Sequence, residues 1–222
     1  MTEICLPRTD ERLPREFFRT DGLTLARALL GKTLVRRTPD GETVSAVISE
    51  TEAYMGVVDR ASHAYGGRLT ERTRTMYREG GAAYVYLIYG LYSCMNITAN
   101  SEGSAEAVLI RAGLPLDGRE RMLENLRMSS RAKKTVFPAS PDGWSAREWR
   151  ERLNGPGRLC AAMAIGRADN GRDLVSDLDF FVRDDGFRPV SAAASPRIGI
   201  DYAGEDRDRP WRFTAEGFEP AL

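Results

Sequence analysis

Two carboxylates and a phenol stand together in the block Glu50-Thr-Glu-Ala-Tyr54, upstream of the only histidine, His63. A tyrosine-rich run, Tyr84-Val-Tyr-Leu-Ile-Tyr-Gly-Leu-Tyr-Ser-Cys-Met-Asn96, follows it. Carboxylates serve acid–base chemistry, flat rings stack on a flat substrate, and an amide can check its edge. Such groups suit a pocket that holds a nucleobase. Taken alone, His63 reads as a structural histidine.

Read as a strand, Val44 to Tyr54 alternates, placing Val44, Ala46, Ile48, Glu50, Glu52 and Tyr54 on one face. Acids in line with core positions are costly unless they are paired or border a solvated cleft. Arg111, which closes the apolar run Ala107 to Ile110, is the candidate partner for one of them. Two readings stay open: a buried ion pair without chemistry, and a general base oriented by an arginine with water between it and the substrate. Tyr89 falls at the bend of the tyrosine run, where a ring is left in water unless it enters something such as a base stack. Core packing accounts for Tyr84 and Tyr92. A thiol–imidazole pair of Cys94 and His63 has no local support, and Cys94 reads as a small apolar residue.

The elements that must position these groups read as strands joined by short connections. Leu23 to Leu30 is expected as a short helix, with Thr24 as its N-cap and Gly31 as its stop. Strands are expected at Lys32 to Arg37 and Val44 to Tyr54 around an Asp40-Gly41 turn. An irregular segment spans 56–74. A hairpin joins Tyr84 to Ile88 with Leu91 to Thr98, and Ala107 to Ala112 forms a further strand. Helices are expected at Arg119 to Met128 and Pro156 to Ile165, with more strands after Asn170-Gly171. Residues 1–15 are expected to be flexible, and 133–154, with its prolines and tryptophans, to form a variable loop. Strand meanders outnumber βαβ units. The expectation is one α+β domain over 1–222, with a mostly antiparallel curved sheet, flanking helices and a protruding hairpin.

Composition narrows the function. The 222 residues are 42% hydrophobic and 29% charged, ordinary for a globular domain. No run of about 18 apolar residues suggests a membrane span. The first residues do not read as a secretory signal. Widely spaced Cys5, Cys94 and Cys160 read as reduced thiols. A cytoplasmic protein is expected, nucleoid-associated if bacterial. One histidine, no cysteine pair and no Asp-rich loop give no metal site, and phosphate-loop and dinucleotide fingerprints are absent. Cofactor-free chemistry is expected. Basic and acidic residues balance at 32 each, yet Arg60 to Arg78 and Arg119 to Lys134 each carry net +4. A basic face near the aromatic block follows.

Together, the motifs resemble the alkyladenine (3-methyladenine) DNA glycosylase family from about Leu25 to Phe213. They are Leu25-Ala-Arg-Ala-Leu-Leu-Gly31, Glu50-Thr-Glu-Ala-Tyr-Met-Gly56, His63 with Gly66-Gly67-Arg68, and Tyr84-Val-Tyr-Leu-Ile-Tyr-Gly90 with Cys94-Met-Asn96. Val108-Leu-Ile-Arg-Ala112, Gly155-Pro-Gly-Arg-Leu-Cys160 and Arg197-Ile-Gly-Ile complete the set. The resemblance implies a monofunctional enzyme, acting as a monomer on double-stranded DNA, that excises damaged bases and leaves an abasic site. It implies Glu52 as general base, with Arg111 helping to hold the attacking water. Tyr54, His63 and Tyr86 would form the base pocket, and Asn96 would oppose the exocyclic amine of guanine. Tyr89 would be the wedge replacing the flipped nucleotide, while Arg68 and Arg197 would bind the DNA backbone or shape the site. Leu114, before Pro115, stands where such proteins often carry an acid, and the stretch around Lys133 to Arg150 matches no family segment.

Two other readings compete. A non-catalytic lesion or kink sensor would use the wedge and basic face, but has little reason to place Glu52 near polyanionic DNA. A carbohydrate or nucleoside hydrolase would use Glu50 and Glu52 as paired carboxylates.

Overall fold

The computed structural model describes residues 12–38, 40–88, 90–129 and 136–217. Strands β1 (Thr33–Arg37) and β2 (Thr43–Tyr54) pair antiparallel across the Asp40-Gly41 turn, as their alternation predicts. Strands β3 (Ala83–Ile88) and β4 (Tyr92–Ala99) form the expected hairpin; its bend residue Tyr89 lies outside the described residues. β5 (Glu106–Asp117), β6 (Phe180–Arg183), β7 (Ser191–Ser195) and β8 (Arg212–Glu216) complete a curled antiparallel sheet in the order β3-β4-β5-β2-β1-β6. Near its end β2 exchanges one neighbour for another: β1 pairs with Thr43 to Val47, and β8 with Glu50 to Glu52. Glu50 and Glu52 therefore lie between β5 and β8, where the sheet splits.

Helices α1 (Arg15–Phe18), α2 (Gly22–Ala28), α3 (Arg119–Ser129), α4 (Ala146–Arg152) and α5 (Pro156–Ala162) flank the sheet. Leu25, Ala26 and Leu29 join Met122, Leu123, Leu159 and Cys160 in the main core. Asp21, rather than Thr24, caps α2: its carboxylate accepts from the backbone N–H groups of Leu23 and Thr24. A carboxylate is a stronger acceptor for these N–H groups than a hydroxyl, and the Thr24 hydroxyl itself donates to Asp21 at 2.6 Å.

Three further expectations change. Arg12 and Leu13 are not frayed, because Arg12 bridges to Arg183 and the Leu13 N–H donates to the Val182 carbonyl at 3.0 Å. The stretch 136–154 is not a plain loop: Ser145 and Glu148 form a capping box that starts α4, and Trp149 is wholly buried against Trp144. β5 extends to Asp117, beyond the short strand the apolar run suggested.

The alternation on β2 is broken by a bulge. Ile48 pairs with Gly113 and Glu50 with Ala112, so Ser49 is an extra residue; Thr51 then pairs with Ile110, so Arg111 is an extra residue on β5. Val44, Ala46 and Ile48 enter the main core, and beyond the bulge Ala53 takes over there, with the Thr51 hydroxyl donating to Ala26 of α2. Glu50, Glu52 and Tyr54 thus point to the opposite face, away from Val44, Ala46 and Ile48. A simple alternating strand would have put two carboxylates into an apolar core; the bulge re-aims them.

Candidate active site

The re-aimed end of β2 forms the floor of a cavity of about 350 Å³ whose lining includes Tyr54, His63, Tyr86, Asn96, Arg111 and Ile198. That volume and its aromatic lining with a few polar groups suit a small planar ligand. Glu52 lies beneath this floor, 0% exposed. Its Oε2 accepts from the Tyr54 hydroxyl at 2.9 Å, its Oε1 accepts from the Ile198 N–H at 2.9 Å, and Nη1 of Arg111 stands 3.4 Å from Oε1. Burial raises the Glu52 pKa from its ordinary value, against the opposing pull of Arg111, the Ile198 N–H and Tyr54. Desolvation wins over three favourable partners, which leaves Glu52 more basic than an ordinary glutamate. The Tyr54 phenol, raised well above its ordinary value by burial and then by Glu52, stays protonated and remains the donor.

Arg111 contacts both acids. Its Nε donates to Glu50 Oε1 at 3.0 Å, and Nη1 of Arg212 donates to the same oxygen at 2.9 Å. Glu50 is therefore a structural anion clamped between two guanidinium groups, and Arg111 is steered by it toward Glu52. The bulge also turns the Arg111 carbonyl outward to accept from the Gly155 N–H at 3.0 Å. Neither β8 nor Arg212 was legible as part of this network, because nothing local to the Arg212 segment marks it as Glu50's neighbour.

The aromatic wall comes from the irregular segment and the hairpin. His63 and Tyr86 meet edge to face with centroids 4.6 Å apart. Nη2 of Arg72 lies 3.1 Å from His63 Nε2, and the Tyr84 hydroxyl lies 2.9 Å from Nδ1. Arginine only donates, so Nε2 is the acceptor and the Nδ1–H donates to Tyr84. Burial, then the charges of Arg72 and Arg68, depress the His63 pKa to about 4. The imidazole is neutral at physiological pH. Tyr84 is thus more than core packing: it is buried, but its hydroxyl sets the ring of His63. Tyr92, expected in the core, is 57% exposed and lies against Gly157.

Asn96 is buried, with Nδ2 donating to the Tyr84 carbonyl at 3.1 Å. Cys94 makes no thiol–imidazole pair: the His63 ring nitrogens are engaged by Tyr84 and Arg72, and burial pushes the Cys94 thiol up to about 11.

The two remaining arginines part company. Arg68 is exposed near His63, where a phosphate could reach it. Arg197 is not placed for a phosphate: its side chain has 0% exposure, and so does that of its partner Asp59. Nη2 donates to Asp59 Oδ1 at 2.9 Å and Nη1 to the Ala53 carbonyl at 3.0 Å, while the guanidinium lies 4.8 Å from the Tyr54 ring centroid and 4.9 Å from that of Trp211. It shapes the site by bracing Tyr54 from behind. Two residues on, Gly199 has φ +74, a backbone conformation that favours glycine, next to the Ile198 whose N–H meets Glu52. Asp59 and Trp211 carried no signal in the sequence, whereas Arg72 sat within the basic segment without being distinguishable from its neighbours.

A family model described as methylpurine-DNA glycosylase matches residues 16–219. The chain belongs to the methylpurine-DNA glycosylase family. A protein of Methanocella arvoryzae is 47% identical over 201 residues, 90% of each chain. One of Clostridium perfringens (strain 13 / Type A) is 43% identical over 204 residues, 91% of this chain and 94% of the relative. Another, of Desulfitobacterium hafniense (strain Y51), is 42% identical over 206 residues, 93% of this chain and 96% of the relative. All three bear the name "Putative 3-methyladenine DNA glycosylase". As a methylpurine-DNA glycosylase, the protein is a hydrolase of N-glycosyl bonds that acts on DNA in the repair of damaged bases.

Proposed function

We propose that this glycosylase flips an alkylated purine such as 3-methyladenine out of duplex DNA and hydrolyses its N-glycosidic bond with a water activated by Glu52, leaving an abasic site. The observation that carries this reading is the fully buried Glu52 carboxylate beneath an aromatic cavity, with Arg111 beside it. The reacting bond of a stacked base is beyond reach of an enclosed active site, and extruding the base costs a few kcal/mol. Stacking on aromatic rings returns roughly 1–3 kcal/mol per base, so Tyr54, Tyr86 and His63 can offset the extrusion. Tyr89, which falls between β3 and β4 in sequence, is the wedge in this reading.

Once the base is seated, Glu52 takes a proton from water, the water oxygen bonds to C1′, and the electrons of the C1′–N bond leave with the base. An alkylated, cationic purine becomes neutral as it leaves, so general-base help of about 10² to 10⁴-fold suffices. Arg111, steered by Glu50, holds the water. Asn96 contributes selectivity by position: its Nδ2 is engaged by Tyr84, so a guanine amine meets an immobilised side chain and is opposed sterically. Arg68 contacts the backbone, and the enzyme acts as a monomer on double-stranded DNA.

Glu50 Oε1 is taken up by Arg111 and Arg212, which disfavours a paired-carboxylate sugar hydrolase. The deciding experiment measures base release from methylated duplex DNA, without added metal, by wild type and Glu52→Gln. Release by wild type alone supports the mechanism. Tight lesion binding without release by either protein would favour a sensor instead.

A further inference from the structure

Arg72 puts a fixed positive charge on the wall of the base cavity. It sits on a surface turn whose backbone is pinned by Thr73: the Thr73 hydroxyl donates to the Arg68 carbonyl at 2.9 Å and accepts from the Thr70 N–H at 2.8 Å. From that turn the guanidinium reaches inward, donating to His63 Nε2 at 3.1 Å and lying 5.2 Å from the Tyr86 ring centroid. Both contacts are with rings of the base pocket, and Arg72 itself lines the cavity. The neighbouring acid, Glu71, pairs with Arg74 instead. Among the described residues, no carboxylate lies within ion-pair distance of Arg72. Its charge is held by neutral partners, the imidazole and the tyrosine face, so its field on the cavity is not cancelled locally.

Such a charge treats two kinds of damaged purine differently. An alkylated purine enters as a cation and leaves neutral, so a nearby guanidinium opposes its entry and has no anion to stabilise. A neutral damaged purine leaves with the C1′–N electron pair and becomes an anion. The water oxygen bonds to C1′, the water proton goes to Glu52, and the anionic base takes a proton from solvent after release. A preorganised cation aimed at the place where negative charge develops lowers that barrier.

We infer that Arg72 is a specificity-determining residue: its guanidinium, held by His63 and Tyr86, stabilises the charge developing on a departing neutral purine and extends the site beyond cationic alkylpurines. This inference rests on the reading of the cavity as a base pocket.

Single-turnover release of hypoxanthine, a neutral purine, and 7-methylguanine, a cationic one as its nucleoside, tests it. Otherwise identical duplexes are treated with wild type, Arg72→Met and Arg72→Lys. Arg72→Met is expected to slow hypoxanthine release relative to 7-methylguanine by about tenfold or more, and Arg72→Lys to recover part of that loss. Parallel slowing of both releases, or no change in their ratio, overturns the inference. So does a wild type that releases 7-methylguanine but no hypoxanthine, with the glycosylase reading left standing. A wild type that releases neither base overturns both. Because His63 is the only histidine, its NMR titration gives a readout independent of activity. Its pKa is expected to rise in Arg72→Met, and an unchanged titration would overturn the contact on which the inference stands.

Discussion

The Tyr54 hydroxyl donates to Glu52 Oε2 at 2.9 Å. A cavity-lining ring and the buried carboxylate are thus one hydrogen-bonded unit, two residues apart on a single strand. Tyr54 stabilises the ionised form of Glu52, which burial disfavours. Tyr54→Phe keeps the ring and deletes the donor, so the Glu52 pKa should rise further. A general base works ionised; the acid limb of the rate–pH profile should therefore move to higher pH, with the plateau largely retained. An unmoved limb would show that this hydrogen bond does not tune the base.

Glu52→Gln removes the ionisable group while keeping its shape. Base release is expected to fall by about 10² or more, while binding to lesion-containing duplex persists. The folded protein should be no less stable at neutral pH, since a raised carboxylate pKa means that the charged form is disfavoured in the fold. Calorimetric melting beside the release assay reads both effects. Undiminished release would remove Glu52 from its role.

Arg197 and Arg68 should fail in different ways. Breaking the buried pair with Asp59 by Arg197→Met strands a carboxylate of 0% exposure and is expected to cost roughly 3–5 kcal/mol of stability. Arg68→Ala changes an exposed side chain, so stability should shift by less than about 0.5 kcal/mol. Its DNA binding should weaken uniformly across sequences, with the salt slope reduced by about 1. Denaturant melts and salt titrations separate the two cases, and equal stability loss in both variants would contradict the burial difference.

His63 makes stability depend on pH. Its folded-state pKa is lowered to about 4 from an ordinary 6.5, so the unfolded chain binds the proton more tightly. The stability this group contributes is full above pH 6.5 and is lost progressively as pH falls toward 4. Glu52 works in the opposite direction: its raised pKa relieves strain as it protonates. His63→Gln isolates the first effect and should flatten the stability curve between those two pH values. A curve as steep as that of wild type would place the acid sensitivity elsewhere.

Much of the frame was legible locally. Alternation with β-branched and aromatic residues marked β2, and Asp40-Gly41 marked its turn; both signals act through neighbours in sequence. The hairpin and the α5 start at Pro156 were readable for the same reason. Glu52 and Arg111 were identifiable by type, Tyr54, His63, Tyr86 and Asn96 as pocket residues only through the family resemblance, and the structure brings all six to one cavity or its floor. The Ser145–Glu148 cap lay inside the expected loop at 133–154, where the surrounding prolines and glycines masked the start of α4.

Tertiary structure decided which way those residues point and what holds them. A bulge adds a residue without marking the sequence, so only pairing between β2 and β5 reveals that Glu50 and Glu52 turn away from the core. The burial of Arg197 depends on Asp59, 138 residues away, and the clamp on Glu50 depends on Arg212, 162 residues away. An exposed arginine and a buried one look alike in a chain, because the cost of removing a charge from water is met by partners brought close only on folding. Residue type set what chemistry was available to this protein. Strand register and long-range ion pairing determined which groups face the cavity, and with what charge.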